Sequence, residues 1–248
     1  MADQHEVTAM FNAIAPHYDF LNHLLSFRMD RRWRRKASKK ITEHHPTAIL
    51  DVATGTADLA IQLAHDNPNA NITGIDLSQK MLDAGKKKIT QLHLDQQIKL
   101  LSGNAESLPF PDRHFDAVTC AFGVRNFEHL SAGLREMIRV TKDDGAVIIL
   151  EFSSPIHPRI KQPYRLYSRL FIPAAGRCIS GHDTAYSYLP SSITSFTEGN
   201  LLEKEIEKAG AILQETVSLF GGIASLYVCL KKTSQSHNKE TENLVKQL

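Results

Sequence analysis

The chain has 248 residues, is 42% hydrophobic and 23% charged, and carries a net charge of +2. These values fit one α/β domain with additions and give no global attraction to nucleic acid. No apolar run approaches the ~20 residues of a membrane-spanning helix.

Met1-Ala2-Asp3-Gln4-His5-Glu6 lacks the basic and apolar regions of a signal peptide, so the expected compartment is the cytoplasm. Cys120, Cys178 and Cys229 are widely spaced, form no CxxC pair, and suit a reducing environment. Cys120 and Cys229 sit in apolar runs and read as core residues.

Residues 7–45 read as amphipathic helix, with Val7, Met10, Phe11 and Ile14, then Phe20, Leu21, Leu24 and Leu25 near helical spacing. Pro16 and the Ser26-Phe27 region are the expected interruptions. The basic run from Arg28 to Lys40 is either a solvated helix face or a contact for anionic headgroups, with Trp33 at the interface. No base-reading module accompanies it, which disfavours nucleic acid.

Ile49-Leu50-Asp51-Val52-Ala53-Thr54-Gly55-Thr56-Ala57-Asp58-Leu59 reads as a strand, a tight turn and a helix start. Strand one covers about 47–53 and the helix about 57–66. Gly55 can take a positive φ, and its small neighbours let a ligand approach the backbone. Strand two, 71–76, ends in Asp76, where doubly wound sheets place an acceptor for ribose hydroxyls. Ser78 is a good N-cap for a helix running to about Leu92.

Strand three is expected at 97–102 and strand four at 115–122. A helix at 129–141 should stop at Asp143-Asp144-Gly145, before an apolar strand five at 146–152. Residues 155–197, rich in Tyr, Ser, Pro and Arg, break the rhythm and suit an insertion covering a site. A helix at 198–209 and strands at 211–218 and 224–231, joined at Gly221-Gly222, complete the pattern. The tail from Thr233 is polar.

This alternation predicts an α/β, Rossmann-like, seven-stranded and mainly parallel sheet with a terminal antiparallel hairpin. Helices should cover both faces. The expected organisation is a helical cap or lid over 1–45, a main domain over 46–232 and a tail over 233–248.

The turn lacks both G-x-G-x-x-G and G-x-x-x-x-G-K-[ST], and Asp58 at the helix start would repel a pyrophosphate. A nucleoside cofactor with positive charge and no phosphate fits better, which points to S-adenosylmethionine. The histidines show no metal-ligand spacing, and no metal is expected.

Several blocks then resemble the ubiquinone/menaquinone biosynthesis C-methyltransferase family, within the class I S-adenosylmethionine-dependent methyltransferases. They are Phe11-Asn12-Ala13-Ile14-Ala15-Pro16-His17-Tyr18-Asp19-Phe20-Leu21-Asn22, Gly103-Asn104-Ala105-Glu106-Ser107-Leu108-Pro109-Phe110-Pro111-Asp112, and Phe122-Gly123-Val124-Arg125-Asn126. Glu151-Phe152-Ser153 and Tyr186-Ser187-Tyr188-Leu189-Pro190-Ser191-Ser192-Ile193 complete the series, which spans about 7–231. The family usually has glycine where Ala57 stands, which is tolerable if the φ of Ala57 is negative. It often has serine or threonine at the position of Ala121.

The resemblance places Thr56 and Gly55 at the cofactor turn, Asp76 on the ribose and Asn104-Ala105 beside the adenine. Asp51 holds either the turn or the cofactor's amino group. Asp76 could instead be a helix cap and Asn104 a turn former. Arg125 is the catalytic candidate, orienting or acidifying a substrate hydroxyl, with a surface salt bridge as the bland alternative. His17, Tyr18 and Asp19 are read as lid or packing residues. His182, Asp183, Tyr186 and Tyr188 are read as shaping the substrate pocket.

The implied reaction moves a methyl group from S-adenosylmethionine to a ring carbon of a prenylated quinol. Demethylmenaquinol is the leading acceptor, with a ubiquinone precursor or another small acceptor as alternatives. An anionic membrane surface at the inner face and a second copy of the chain are the further partners considered.

Overall fold

A computed structural model describes residues 4–153 and 201–232, together with 155, 162–164, 166, 167, 192, 193 and 196. Helices α1 (Gln4–Ile14), α2 (Tyr18–Leu25) and α3 (Met29–Thr42) come first. A 3-10 turn at Ala15–His17 holds Pro16 between α1 and α2, where its missing N–H costs no helical bond. Phe27 and Arg28 take φ of 51° and 60°, a left-handed joint that ends α2 and starts α3.

Seven strands follow among the described residues: β1 (Ala48–Val52), β2 (Asn71–Asp76), β3 (Ile98–Ser102), β4 (Phe115–Ala121), β5 (Thr141–Phe152), β6 (Ala211–Leu219) and β7 (Ala224–Lys231). Between them lie α4 (Asp58–Asp66), α5 (Gln79–Gln91), α6 (Leu130–Val140) and α7 (Leu201–Lys208). The order across the sheet is β3-β2-β1-β4-β5-β7-β6. β1 to β5 pair in parallel, while β7 runs antiparallel to both β5 and β6. This is the architecture expected from the sequence.

Side chains of period two separate two cores. Ile49, Ile72, Ile148 and Leu226 face one side, where they meet Trp33, Ile41 and Leu63 of α3 and α4. Leu50, Val118, Ile149 and Cys229 face the other, against Leu134 and Met137 of α6 and Ile206 of α7. Cys120 and Cys229 are buried free thiols, as core residues should be. Ser78 caps α5, its hydroxyl accepting from the Met81 N–H.

Two expectations need correction. Strand five starts at Thr141, not 146: Thr141 pairs with Phe115 and Ala146 with Ala117, so Lys142–Gly145 bulge out opposite Asp116. Asp144 takes φ 60°, and Lys142 Nζ pairs with Asp116 at 2.5 Å, which holds the bulge on the sheet. Trp33 is not an interfacial residue. It is 6% exposed, with ring centroids 6.2 Å from Phe122 and 6.3 Å from Phe152. Trp33, Ala37 and Ile41 form the i, i+4, i+8 stripe of α3 that enters the core; Arg34 is buried beside it, and Arg31, Arg32 and Arg35 take the other face.

Candidate active site

A cleft of about 720 Å³, open solvent at its mouth included, lies over the carboxyl ends of β1, β2, β3 and β4. The strand order reverses between β1 and β4, the place where doubly wound sheets bind ligands. Ala53 and Gly55 line it after β1, Asp76 and Ser78 after β2, and Asn104 and Ala105 after β3. Phe122, Gly123 and Asn126 line it after β4. Gln4, Val7, Thr8 and Phe11 of α1 roof it, with Tyr18 of α2.

The turn after β1 is wound left-handed at Ala53 (φ 54°), Gly55 (φ 57°) and Ala57 (φ 65°). The condition set for Ala57 is therefore not met: its φ is positive, at a cost of about 1–2 kcal/mol for a residue with a Cβ. The surroundings hold it there. Ala57 is fully buried, its N–H donates to Thr54 O at 2.9 Å, and its O accepts from Ile61 N at 2.9 Å. Close approach matters on the opposite wall too, since a Cβ on Gly123 would lie 2.6 Å from that of Ala53.

Asp76 receives the Gly55 N–H on Oδ2 and the Ser78 N–H on Oδ1, both at 2.8 Å. Burial pushes its carboxyl above the ordinary range, and the N–H groups of Ser78, Gly55 and Leu77 pull it back. Asp76 lines the cleft. Asp51 is deeper, 1% exposed. Its Oδ2 accepts from the Thr54 hydroxyl at 2.6 Å, and its buried Oδ1 has no hydrogen-bond partner among the described residues. Burial pushes Asp51 up to about 7, against the pull of Thr54 and Arg34 and with a further push from Asp76.

Asn104 accepts from Glu106 N at 2.8 Å and exchanges two amide hydrogen bonds with Gln4, at 3.2 and 3.3 Å. Sequence reasoning missed Gln4, because no local pattern links residues 100 positions apart. Thr56 stands at the turn, but its hydroxyl donates to Asp19 at 2.5 Å, away from the cleft.

Arg125 is neither exposed nor within the cleft lining. Its side chain is 5% exposed, and Nη1 lies 2.8 Å from Glu151 Oε1 and 2.5 Å from Phe122 O. Its guanidinium carbon sits 5.3 Å above the Phe152 ring, and its buried Nε–H has no acceptor among the described residues. Neighbouring Asn126 and Phe122 do line the cleft. Burial raises the phenol of Tyr18, and the charges of Arg34 and Arg125 oppose that rise, so all three groups share one electrostatic neighbourhood.

Asp19 ties α2 to the sheet domain. Lys88 bridges it at 2.7 Å to Asp58 at 2.5 Å, and Asp58 stands 3.6 Å from His23 and 3.8 Å from Arg34. His23, Asp30 and Asp58 converge closely enough to hold a cation, but Arg34 lies 2.5 Å from Asp30, and Lys88 holds Asp58. The protein's own cations fill that role. His17 is exposed, and His182, Asp183, Tyr186 and Tyr188 lie outside the described residues.

The ubiE/COQ5 methyltransferase family matches residues 1–231. The chain is 41% identical over 226 residues to a demethylmenaquinone methyltransferase of Bacteroides fragilis, covering 91% of this chain and 92% of the relative. It is also 41% identical over 226 residues to the ubiquinone/menaquinone biosynthesis C-methyltransferase UbiE of Citrifermentans bemidjiense, covering 91% and 96%. The [4+2]-cyclase SpnF shares the fold, with a TM-score of 0.72 at 15% identity, over 94% of this chain and 98% of that one. A cyclase on this fold carries no statement about chemistry. The match over residues 1–231 and the identity to full-length relatives do: the chain belongs to the ubiE/COQ5 methyltransferase family.

Proposed function

We propose that this protein transfers a methyl group from S-adenosylmethionine to a ring carbon of demethylmenaquinol, giving menaquinol. The observation that carries the reading is its identity to demethylmenaquinone methyltransferases along nearly the whole chain, joined to a cleft of the right chemistry at the switch point. A ubiquinone precursor is the second acceptor, favoured by the relatives whose names include both quinones.

The cleft's donors and acceptors fit S-adenosylmethionine. Asp76 offers carboxylate acceptors for ribose hydroxyls, and Asn104 with Ala105 borders the space for an adenine edge. Gly55 and Ala53 keep the floor free of bulk. Asp51, with one buried oxygen unpartnered among the described residues, provides negative charge beneath the turn for a cationic ligand. Thr56 supports the turn from behind through Asp19. When bound, S-adenosylmethionine supplies an electrophilic sulfonium methyl group.

The chain must align the acceptor with that group and help one ring hydroxyl ionise, since ionisation makes the adjacent ring carbon nucleophilic. Positioning alone supplies several kcal/mol. Arg125, ion-paired to Glu151 and bonded to Phe122 O, fixes the wall that Phe122 and Asn126 present to the acceptor. Tyr18 and Phe11 close the apolar roof, limiting water at the ring. An oxidised quinone has no hydroxyl to ionise, so the reduced ring is required.

The test is methylation of demethylmenaquinol with labelled S-adenosylmethionine, beside the same quinone left oxidised. Ring label with the reduced substrate alone supports the reading. No label in either, with cofactor bound, overturns the choice of acceptor. The protein acts in the cytoplasm, peripheral to the inner face of an anionic membrane, where a prenylated acceptor resides. No helix among the described residues is long and apolar enough to cross that membrane.

A further inference from the structure

Four large apolar side chains stand exposed around the joint between α2 and α3. Phe20 is 61% exposed, Leu24 45%, Phe27 73% and Leu166 63%. Phe20 and Leu24 share a face of α2 by their i, i+4 spacing, and Phe27 follows one turn on. Phe27 packs on Tyr167 at 5.9 Å, and Tyr167 donates its hydroxyl hydrogen bond to Leu25 O at 2.6 Å. The projection of Phe27 is thus braced, and Leu166 precedes Tyr167 in the chain.

The cationic surface begins at the next residue. Arg28, Arg31, Arg32 and Arg35 are exposed, and no described carboxylate forms an ion pair with any of them. Asp30, the acid in the first turn of α3, is turned inward onto His23 and Arg34. α3 therefore neutralises itself inside and stays cationic outside.

We infer that this joint is a docking surface for an anionic phospholipid bilayer, with Phe20, Leu24 and Phe27 entering the acyl boundary and the α3 arginines on the headgroups. Charge complementarity selects the occupant: an apolar wedge rimmed by arginines matches an anionic interface. An acidic protein would satisfy the arginines while leaving the wedge in water. The same helix α2 that presents Phe20 outward presents Tyr18 to the cleft. A bilayer on this face therefore lies beside the cleft roof, where a prenylated acceptor would leave it. That last link rests on the function proposed above; the docking surface does not.

The test is co-sedimentation of the full-length protein with phosphatidylcholine vesicles, with and without phosphatidylglycerol, at low and high salt. The wild type should bind the anionic vesicles, less well at high salt. Arg31→Gln/Arg32→Gln/Arg35→Gln should weaken binding roughly 100-fold, at about fivefold per cation. Phe20→Ser/Leu24→Ser/Phe27→Ser should weaken it at least about tenfold, even on anionic vesicles.

Phe27→Trp keeps bulk at the most exposed site and adds a second tryptophan to Trp33. Its emission should shift to the blue on anionic vesicles. An unshifted emission, no sedimentation of the wild type, or retention only by an acidic protein overturns the proposal. Turnover of a short-tailed, water-soluble demethylquinol should be unchanged in the arginine variant. Vesicle binding without such turnover in the wild type would sink the acceptor reading and leave the surface standing.

Discussion

Arg125 and Glu151 stand 26 residues apart in sequence, yet form an ion pair at 2.8 Å with side chains 5% and 0% exposed. Glu151 near the end of β5 also receives the Phe152 N–H at 2.8 Å, which holds the carboxylate from a second side. A pair this buried costs most when only one partner is removed. Glu151→Gln should lower stability by about 3 kcal/mol, and Glu151→Gln with Arg125→Met should recover part of that loss. Urea unfolding midpoints of the wild type and the two variants check it. A neutral Glu151→Gln would show that the pair is not coupled to folding.

Asp76→Asn removes the negative charge and turns one of the two oxygens, which accept the Gly55 and Ser78 N–H groups, into an NH2 donor. S-adenosylmethionine affinity should fall by about 2 kcal/mol, or roughly 30-fold. Isothermal titration of the variant measures this directly, and an unchanged Kd would remove Asp76 from the cofactor site.

Asp51 gives a pH signature of definite sign. Its folded value of about 7 lies above the ordinary 3.8, so the folded state holds a proton that the unfolded chain releases in this window. Its contribution to stability therefore declines as pH rises from about 4 to about 7, by at most about 1.4 kcal/mol per pH unit. Asp51→Asn should remove that slope, so the variant gains on the wild type as pH rises. Binding a cation near Asp51 favours the ionised form, so affinity for S-adenosylmethionine should rise across the same window in the wild type alone. Melting and binding series at matched pH decide both.

Ala57 tests the strained turn. Ala57→Gly relieves the positive φ but loses a fully buried methyl, so the two effects nearly cancel, within about 1 kcal/mol. Ala57→Val cannot use the left-handed region without a clash and should cost about 3 kcal/mol or more. Thermal melts of both variants discriminate: a Val as stable as the wild type would mean that the turn can rewind.

Much of the fold was legible because period and capping are local. The apolar β1 and β5 runs, the Ser78 cap and the Gly221-Gly222 hairpin each carry their signal within a few residues. Trp33 was misread because its basic neighbours dominate the composition, although the i, i+4, i+8 stripe with Ala37 and Ile41 was present. The start of β5 is hidden because Asp143-Asp144-Gly145 reads as a helix stop, whereas α6 ends at Val140 and these residues form a bulge within β5. In the cleft, the positions of Gly55, Asp76 and Asn104 follow from strand ends, which sequence marks well. The partners do not: Gln4 on Asn104, Glu151 on Arg125 and Asp19 on Thr56 depend on how distant elements dock.

The placement of β7 between β5 and β6 governs how the sheet can be assembled. β5 must wait for a partner some 70 residues further along the chain, with Ala146 meeting Leu230 and Phe152 meeting Ala224. During synthesis, β1 to β5 can form early, but the outer edge of β5 then offers a row of open peptide groups. Long-range pairing of this kind slows folding and lengthens the exposure of that edge. Emergence of residues 224–231 from the ribosome is thus the event that seals the sheet, and a nascent chain halted before Ala224 carries an adhesive edge.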